Sequence, residues 1–313
     1  MIIGSERDVT EAVLGELGRA KDDRFREILT AAVKHLHAFV RDVRLTEQEF
    51  YQACGVIAEL GKRSGPSHNE VVLIAGSLGL STLVCLLNNG TPDREQTTAN
   101  LLGPFWRPHA PEVDNGGSVM RSLTSGIPLF VDAWVKDPEG RPVADARIDV
   151  WNASAEGLYE NQDPQQADWN LRGTLTTDHG GHAWFWTVKP SGYPVPVDGP
   201  AGDLLRAQGR HNLRPAHVHF LIYKEGWKTQ FSQVYDGDDP NLETDSQFGV
   251  TASLVGHYVL HEGDPATAPE IRGPWYSLAH TFVIEPGASL MPRAPISDKT
   301  QGPRPQIEIL KRT

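Results

Sequence analysis

The sequence is poor in cysteine, in methionine and in long apolar runs. Of its 313 residues, two are cysteine, Cys54 and Cys85, and three are methionine. Two cysteines are too few for a disulfide framework, so we expect a reducing, cytoplasmic location. No apolar run reaches the roughly 20 residues of a membrane-spanning helix, and the acidic first segment is unlike a signal peptide. We therefore expect no membrane insertion.

Positive charge is scarce as well. Lys and Arg together number 29 against 40 Asp and Glu, which gives a formal net charge of −11. Such an acidic balance argues against a nucleic-acid-binding surface. The hydrophobic share of 39% is ordinary for a globular protein, and the length allows one large domain or two smaller ones.

The first hundred residues have a helical pattern. Apolar residues from Phe25 to Val40 recur every three or four positions, which predicts an amphipathic helix ending near Arg44. Thr46 followed by Glu49 is a capping box that opens a second helix. A third apolar helix is predicted from residue 71 to residue 87. We therefore expect a helical region over residues 1–100.

Beyond residue 100 the pattern changes to short strands and tight turns. Strands are predicted at residues 127–135, 146–151, 175–177, 183–188, 217–223 and 278–284. Short strands separated by turns are typical of an antiparallel β-sandwich, here residues 101–313. The irregular segments 161–169 and 190–212 are long enough to carry function.

A candidate metal site begins with His217 and His219. Residues two apart on a strand share one face, and imidazole is a common metal ligand. Taken alone, two such histidines are more often an ordinary strand pair than metal ligands. Tyr159 and Tyr193, which follow strand candidates, offer a second half of the site, and phenolates with imidazoles suit Fe(III) better than Zn(II). A zinc hydrolase and a non-catalytic β-sandwich binding module remain alternatives.

Several motifs in this order resemble the intradiol ring-cleaving dioxygenases, the catechol and hydroxyquinol 1,2-dioxygenases. The resemblance covers most of the chain, and the 24 positions between Tyr193 and His217 match the family spacing. The motifs are Leu102-Gly103-Pro104-Phe105, Val150-Trp151-Asn152-Ala153, Gly157-Leu158-Tyr159, Tyr193-Pro194-Val195-Pro196 and Arg214-Pro215-Ala216-His217-Val218-His219. Members of the family act in aromatic catabolism, cutting the ring between two hydroxylated carbons and incorporating both atoms of O2.

The resemblance also implies a cofactor and its ligands. One Fe(III) per chain would be held by Tyr159, Tyr193, His217 and His219, with a hydroxide completing the site. Tyr193 would leave the iron when substrate binds and accept a proton from the diol.

Two further residues receive roles from the resemblance. Arg214 would be a fixed cation over the ring. Gln230 would orient oxygen intermediates, with Gln233 as the alternative because the alignment crosses a gap after Tyr223.

Substrate choice is assigned by the resemblance to a set of pocket-wall positions: Leu73, Gly76, Leu101, Leu102, Pro104, Phe105, Val195, Pro196 and Val250. The segment 244–250 resembles the hydroxyquinol branch. Many members of that branch have an acidic residue where this chain has Gly76, and a glycine there leaves room for a bulkier ring substituent. We expect hydroxyquinol as substrate, giving a maleylacetate or hydroxymuconate-type product. Catechol, giving cis,cis-muconate, or a substituted catechol is the alternative.

The resemblance implies one assembly as well. The N-terminal helices of two chains would pack together as a homodimer, and an apolar tunnel between them can hold a phospholipid tail. The partners expected for this chain are thus an aromatic diol or triol, O2 and a second copy.

Overall fold

The computed structural model describes residues 2–89, 97–268 and 270–312. The chain divides into two compact units, Met1–Ala58 and Glu59–Thr313. The first unit contains α1 (Glu6–Leu17), α2 (Asp23–Asp42) and most of α3 (Glu47–Arg63). The predicted capping box is present, because the Thr46 amide donates to Glu49 Oε2 at 2.9 Å and the Glu49 amide donates to Thr46 Oγ1 at 3.3 Å.

The third predicted helix is two helices, and both lie in the second unit. They are α4 (Glu70–Ser77) and α5 (Leu80–Asn89), which meet at a bend where Gly79 has a φ of +72°. Helix α4 is bonded to distant segments of the second unit. Asn69 donates to the carbonyl of Pro295 at 3.2 Å, and the Ala201 amide donates to Glu70 at 2.9 Å.

Among the described residues no single helix is long and apolar enough to cross a membrane. The pair Glu70–Ser77 and Leu80–Asn88 meets that test only when both are taken together, across a bend of 79°.

The rest of the second unit is built from strands in two main sheets. One sheet has the strand order β10-β11-β1-β4 and the other β3-β2-β7-β8-β9, with β5 and β6 paired separately. The pairs β1–β11 and β8–β9 are parallel, so the predicted β-sandwich is confirmed but its sheets are mixed. The strands are β1 (Pro128–Lys136), β2 (Arg147–Asn152), β3 (Arg172–Thr176), β4 (His182–Val188), β5 (Tyr193–Pro194), β6 (Leu213–Arg214), β7 (His217–Tyr223), β8 (Gln230–Asp236), β9 (Val255–Gly256), β10 (Tyr258–His261) and β11 (Trp275–Val283).

Strand β7 has two different buried faces. Val218, Phe220 and Ile222 join the apolar core shared by the two sheets. The alternate positions, which include His217 and His219, point to the opposite face because successive side chains on a strand alternate. On that face a second apolar cluster contains Trp151, Tyr159, Tyr193 and Leu221. The sandwich therefore presents both histidines at this second cluster.

Several elements were absent from the sequence-based prediction, and two of them lie near the histidines. Helix α6 (Pro200–Ala207) lies inside the segment 190–212 that was expected to be irregular, and it starts with a proline at its first position after Gly199. Strand β8 pairs antiparallel with β7 from Gln230 to Tyr235, although polar side chains interrupt its apolar pattern. Both elements contribute to the surroundings of the histidines.

Glu70 is expected to stabilise the junction between α4 and α6. Its buried side chain contacts His68 Nε2 at 2.6 Å and accepts from the Ala201 amide. Burial raises the pKa of the Glu70 carboxyl, but hydrogen bonds from His68 and Ala201 outweigh it and lower the pKa overall. Glu70→Gln should lower the free energy of unfolding by about 1–3 kcal/mol at pH 7, measured by urea denaturation.

The sign of the pH dependence follows from the lowered pKa. The stabilisation by Glu70 is present above the unfolded pKa of about 4.3 and is lost as pH falls through the folded value. The difference between wild type and Glu70→Gln should therefore shrink below about pH 4. Glu27→Gln, in an exposed ion pair with Arg24, is the control and should change stability little. An equal loss in both variants would contradict the account.

Candidate active site

Two phenols and two imidazoles converge at one point on the second face of β7. The hydroxyl of Tyr159 lies 3.3 Å from that of Tyr193, 3.1 Å from His219 Nε2 and 3.5 Å from His217 Nε2. The two Nε2 atoms are 3.1 Å apart. The four side chains predicted as ligands are therefore brought together by the fold.

The spacing of these atoms fits ligands of a single ion. Two ligands that each lie about 2.0–2.1 Å from one ion are themselves separated by roughly 3 Å. His217 Nδ1 lies 2.7 Å from the carbonyl oxygen of Pro215, so it carries the ring proton and leaves Nε2 with its lone pair towards the other three groups. The donor atoms are thus close enough together for one ion, and His217 presents an unprotonated nitrogen to it.

All four side chains are buried, between 0% and 3% exposed. Burial lowers the pKa of His217 to about 3, with a further contribution from Arg214, and it lowers the pKa of His219 as well. Burial and the neighbouring Tyr193 raise the pKa of the Tyr159 phenol. Both imidazoles are therefore neutral, the form that binds metals, and a phenolate here needs a strong nearby cation.

Local structure fixes the orientation of the site residues. His219 stacks on Trp151 with ring centroids 4.5 Å apart and planes at 10°. Tyr159 stacks on Phe105 at 4.5 Å. Gly157, with a φ of +80°, lets the chain turn beside Tyr193, where an added Cβ would lie 3.2 Å from the tyrosine Cβ.

Arg214 is the fixed positive charge of the site. Strand β6 pairs Arg214 with Tyr193 of β5, and the guanidinium Nη1 lies 3.5 Å from His217 Nε2. Its Nε donates to Asp245 Oδ1 at 2.9 Å, while Nη2 donates to Gln233 Oε1 and to the Tyr235 hydroxyl, both at 2.9 Å. Burial opposes the charge, but Asp245 outweighs it and raises the pKa of Arg214 well above its usual value.

The assignment of Gln230 to the site is wrong, and its alternative Gln233 has the required position. In the register of β7 and β8, Gln233 lies opposite His219, whereas Gln230 lies opposite Ile222. Side chains three positions apart on a strand point to opposite faces of the sheet, so Gln230 and Gln233 lie on opposite sides. Gln230 donates instead to the carbonyl of Thr97 at 3.1 Å and to Ser232 Oγ at 3.0 Å.

A cavity of about 820 Å³ opens onto Tyr193 and Arg214. Its wall includes these predicted substrate-binding residues: Leu73, Gly76, Leu101, Leu102, Pro104, Phe105 and Val195. Two predicted residues lie elsewhere: Pro196 borders separate hollows with Gln162 and Asp198, and Val250 borders another with Leu242 and Phe248. From the segment 244–250, the residue in the cavity wall is Gln247.

The expectation that Gly76 leaves room for a bulky substituent is wrong. A Cβ placed on Gly76 would overlap Oε1 of Gln247 and would lie 3.1 Å from its Cδ. The space above the glycine is therefore filled by a glutamine amide from a distant loop. Gly76 and Gln247 lie far apart in the sequence, so no local pattern could predict this contact.

The chain matches two known family descriptions over most of its length. "Catechol dioxygenase N terminus" matches residues 22–96, and "Dioxygenase" matches residues 101–276. The chain belongs to the intradiol dioxygenases. Members of this family are in general iron-dependent oxidoreductases, so the chain is an enzyme of the intradiol ring-cleaving class.

Relatives of this dioxygenase come from bacteria and fungi. The hydroxyquinol 1,2-dioxygenase of a Rhizobium strain is 37% identical over 89% of this chain and 95% of its own length. The catechol 1,2-dioxygenase of Candida albicans is 35% identical over 80% and 83%. The crystal structure of the Pseudomonas putida hydroxyquinol 1,2-dioxygenase superposes with a TM-score of 0.79, at 34% identity, covering 90% of this chain and 99% of that one.

Membership of the intradiol dioxygenases removes the two rival readings of the sequence. A non-catalytic binding module does not fit an enzyme family matched over both parts of the chain. A zinc hydrolase would need a carboxylate beside His217 and His219. Within the described ranges, no three His, Cys, Asp or Glu side chains come together as a metal site.

Sequence reasoning missed the groups that hold Arg214. Asp245 and Tyr235 lie 31 and 21 positions away from Arg214 and are buried beside it. Asp245 lies inside the segment 244–250 that signalled the hydroxyquinol branch, so one signal was available. Tyr235 belongs to the unpredicted strand β8, and nothing in the sequence indicated its contact with Arg214.

Gln233 is expected to act as a positioning residue for Arg214. Its Oε1 accepts from Arg214 and from the Tyr235 hydroxyl at 2.7 Å, and its Nε2 donates to the carbonyl of Leu101 at 2.6 Å. Gln233→Met removes the acceptor and should lower kcat/KM by about 10–100-fold, mostly through kcat. Gln230→Met is the matched control and should reduce kcat/KM by less than about threefold. The opposite ranking in steady-state kinetics would restore the original assignment of Gln230.

Proposed function

We propose that this enzyme is a non-haem Fe(III) dioxygenase that cleaves hydroxyquinol (1,2,4-trihydroxybenzene) between its two adjacent hydroxylated carbons. One observation supports this above all others: two phenols and two imidazoles converge beside Arg214, and Tyr193 and Arg214 line a largely apolar cavity. A planar aromatic diol fits such a cavity, and its two hydroxyls can reach the converging donor atoms.

Tyr159, Tyr193, His217 and His219 would hold the iron, one ion per chain. The Tyr159 hydroxyl and the two histidine Nε2 atoms lie 3.1–3.5 Å from one another, and the Tyr193 hydroxyl lies 3.3 Å from that of Tyr159. Anionic phenolate oxygen suits a hard trivalent cation, and neutral imidazole completes the set. When bound, ferric iron supplies Lewis acidity that activates the diol for reaction with O2.

The two tyrosines have different surroundings and hence different roles in the proposal. Tyr193 is part of the cavity wall, whereas Tyr159 is fully buried behind it against Phe105. As a metal-bound phenolate, Tyr193 would therefore be the base that receives a proton from the incoming diol. Tyr159 stays in place and holds the site together.

Arg214 would stabilise the negative charge that develops on the ring during attack by oxygen. It faces the cavity, and its other donors are fixed by Asp245, Gln233 and Tyr235. A preorganised cation costs no reorganisation when charge develops, which is why fixed charges of this kind are effective in catalysis.

Hydroxyquinol is proposed as the preferred substrate because named relatives over nearly the whole chain act on it. Catechol is the second candidate, since a catechol 1,2-dioxygenase is also 35% identical. The test is a panel of hydroxyquinol, catechol, methylcatechols and chlorocatechols, compared by kcat/KM with O2 consumption and product identification. A highest kcat/KM for hydroxyquinol supports the proposal, whereas a highest value for any catechol replaces it.

A homodimer joined by the N-terminal helices is part of the proposal. Helix α2 is 20 residues long and has solvent-exposed large apolar side chains, among them Phe25, Leu36 and Phe39 at 52–61% exposure. Such a face is suited to a second copy and to a phospholipid tail. Native mass spectrometry with lipid extraction tests both. Cys54 is an exposed free thiol, which supports the cytoplasmic location we propose.

A further inference from the structure

Gln247 is a polar residue of the cavity wall to which the roles above assign nothing. Its side chain is 4% exposed. The backbone N–H of Gln247 donates to Asp245 Oδ1 at 3.1 Å, which connects this loop to the partner of the active-site cation. The Gly249 amide donates to the other oxygen of the same carboxylate at 2.8 Å. Since Asp245 also binds Arg214, the position of Gln247 relative to the active site is fixed.

Hydrogen bonding fixes which end of the Gln247 amide faces the cavity. Its Nε2 lies 2.8 Å from Ser77 Oγ and 3.4 Å from the carbonyl of Ser246. The Ser77 hydroxyl donates its own proton to the carbonyl of Leu73 at 3.2 Å, so it can only accept from Gln247. Both neighbours are acceptors, and the NH2 group must lie on their side. Oε1 then points the other way.

Oε1 of Gln247 lies over Gly76 in the cavity wall. Among the described residues no hydrogen-bond donor reaches this oxygen, although the Nε2 of the same amide has two partners. Any side chain at position 76 would displace it, because even a Cβ overlaps Oε1. Oε1 of Gln247 is therefore a fixed hydrogen-bond acceptor with an unused lone pair facing the cavity. The absence of a side chain at Gly76 leaves the space that Oε1 occupies.

We propose that Gln247 determines substrate specificity: its Oε1 accepts a hydrogen bond from a ring hydroxyl outside the reacting pair, such as the third hydroxyl of hydroxyquinol. This inference rests on the proposed function, since it needs an aromatic diol in the cavity. The acceptor is thus a neutral amide held by Ser77 and Ser246. Gly76 and Gln247 act as a pair, because the amide occupies the space that a larger residue 76 would need.

The physical consequence is discrimination against rings without that hydroxyl. Binding a ring that removes water from this acceptor without offering a donor is unfavourable in free energy. A ring hydroxyl beside Oε1 supplies the missing hydrogen bond. The third hydroxyl of hydroxyquinol supplies the donor, and catechol does not. Gln247 should therefore raise the ratio of kcat/KM for hydroxyquinol to kcat/KM for catechol.

The test compares this ratio in the wild-type enzyme and in three variants. Gln247→Met keeps the length of the side chain but removes the acceptor, and the ratio should fall by about 10–100-fold. Gly76→Ala displaces the amide without changing its chemistry and should lower the ratio in the same direction. In the double variant Gly76→Ala/Gln247→Met the two effects should not add, because both remove one contact. Gln48→Met, at an exposed position of α3, is the matched control and should leave the ratio unchanged.

The outcomes separate this inference from the proposed function. If the wild-type enzyme cleaves neither hydroxyquinol nor catechol, the proposed function fails. If it cleaves both and the ratio in Gln247→Met stays within about threefold of the wild type, the specificity role fails alone. Full additivity in the double variant would also overturn the pairing of Gly76 with Gln247. Thermal unfolding of each variant, with iron content, ensures that only folded and loaded enzyme is compared.

Discussion

Tyr159→Phe is expected to lose most of the bound iron and the visible colour of the protein. Its kcat/KM should fall by at least about 1,000-fold. The variant lacks one of the four proposed ligand atoms, and Tyr159 Oη is the atom that contacts Tyr193 and both histidines. Loss of several kcal/mol of charge stabilisation at a metal site corresponds to this factor. Iron analysis, visible absorption and steady-state kinetics on the same sample measure all three effects.

His211→Ala is the matched control for the loss of a polar ring near the site. His211 precedes the proposed ligands His217 and His219 by a few positions, but its Nε2 contacts Thr244 Oγ1 at 2.9 Å and its Nδ1 accepts from the Leu213 amide at 3.1 Å. It shares no contact with Tyr159. The variant should therefore keep iron and colour. Full colour and rate in Tyr159→Phe would contradict the ligand assignment whatever the control does.

Arg214→Met is expected to lower kcat by about 100–1,000-fold with a smaller change in KM. The guanidinium is a preorganised charge that faces the cavity, and removing one such donor typically costs this much in rate. The same substitution leaves Asp245 buried without its partner. A buried charge left unpaired in this way costs about 3–5 kcal/mol of stability. Low activity of the single variant alone would therefore have two explanations.

A double variant separates the two effects of removing Arg214. Arg214→Met/Asp245→Asn has no uncompensated carboxylate, so thermal unfolding should recover towards the wild type while kcat stays low. Arg214→Lys retains a charge but has one nitrogen in place of a guanidinium that binds Asp245, Gln233 and Tyr235. Its kcat should also stay well below the wild type. A double variant with wild-type kcat would remove Arg214 from the chemistry.

Periodicity predicted the parts of the fold that depend on local pattern. The alternation along residues 217–223 placed His217 and His219 on one face, and the capping box at Thr46 and Glu49 marked the start of α3. The same reasoning missed the break between α4 and α5. Apolar residues continue through it, and one left-handed glycine, Gly79, ends the first helix.

The site needed more than local pattern. Tyr159 and Tyr193 lie 58 and 24 positions before His217, and as single residues they look like ordinary buried or turn tyrosines. The order of the motifs made them candidate ligands. Contacts that depend on three-dimensional packing had no such signal. The amide of Gln247 reaches Ser77 across 170 positions, and the choice of Gln233 over Gln230 required the register of β7 with β8.

Metal analysis of the purified protein, combined with its visible spectrum before and after addition of hydroxyquinol without O2, tests the central claim most directly. A ferric site with two phenolate ligands predicts close to one iron per chain and a visible phenolate-to-iron charge-transfer band. The band should change when the diol binds and Tyr193 takes up a proton. A colourless protein with one zinc per chain and no iron would contradict the assignment of Tyr159, Tyr193, His217 and His219 as a ferric iron site.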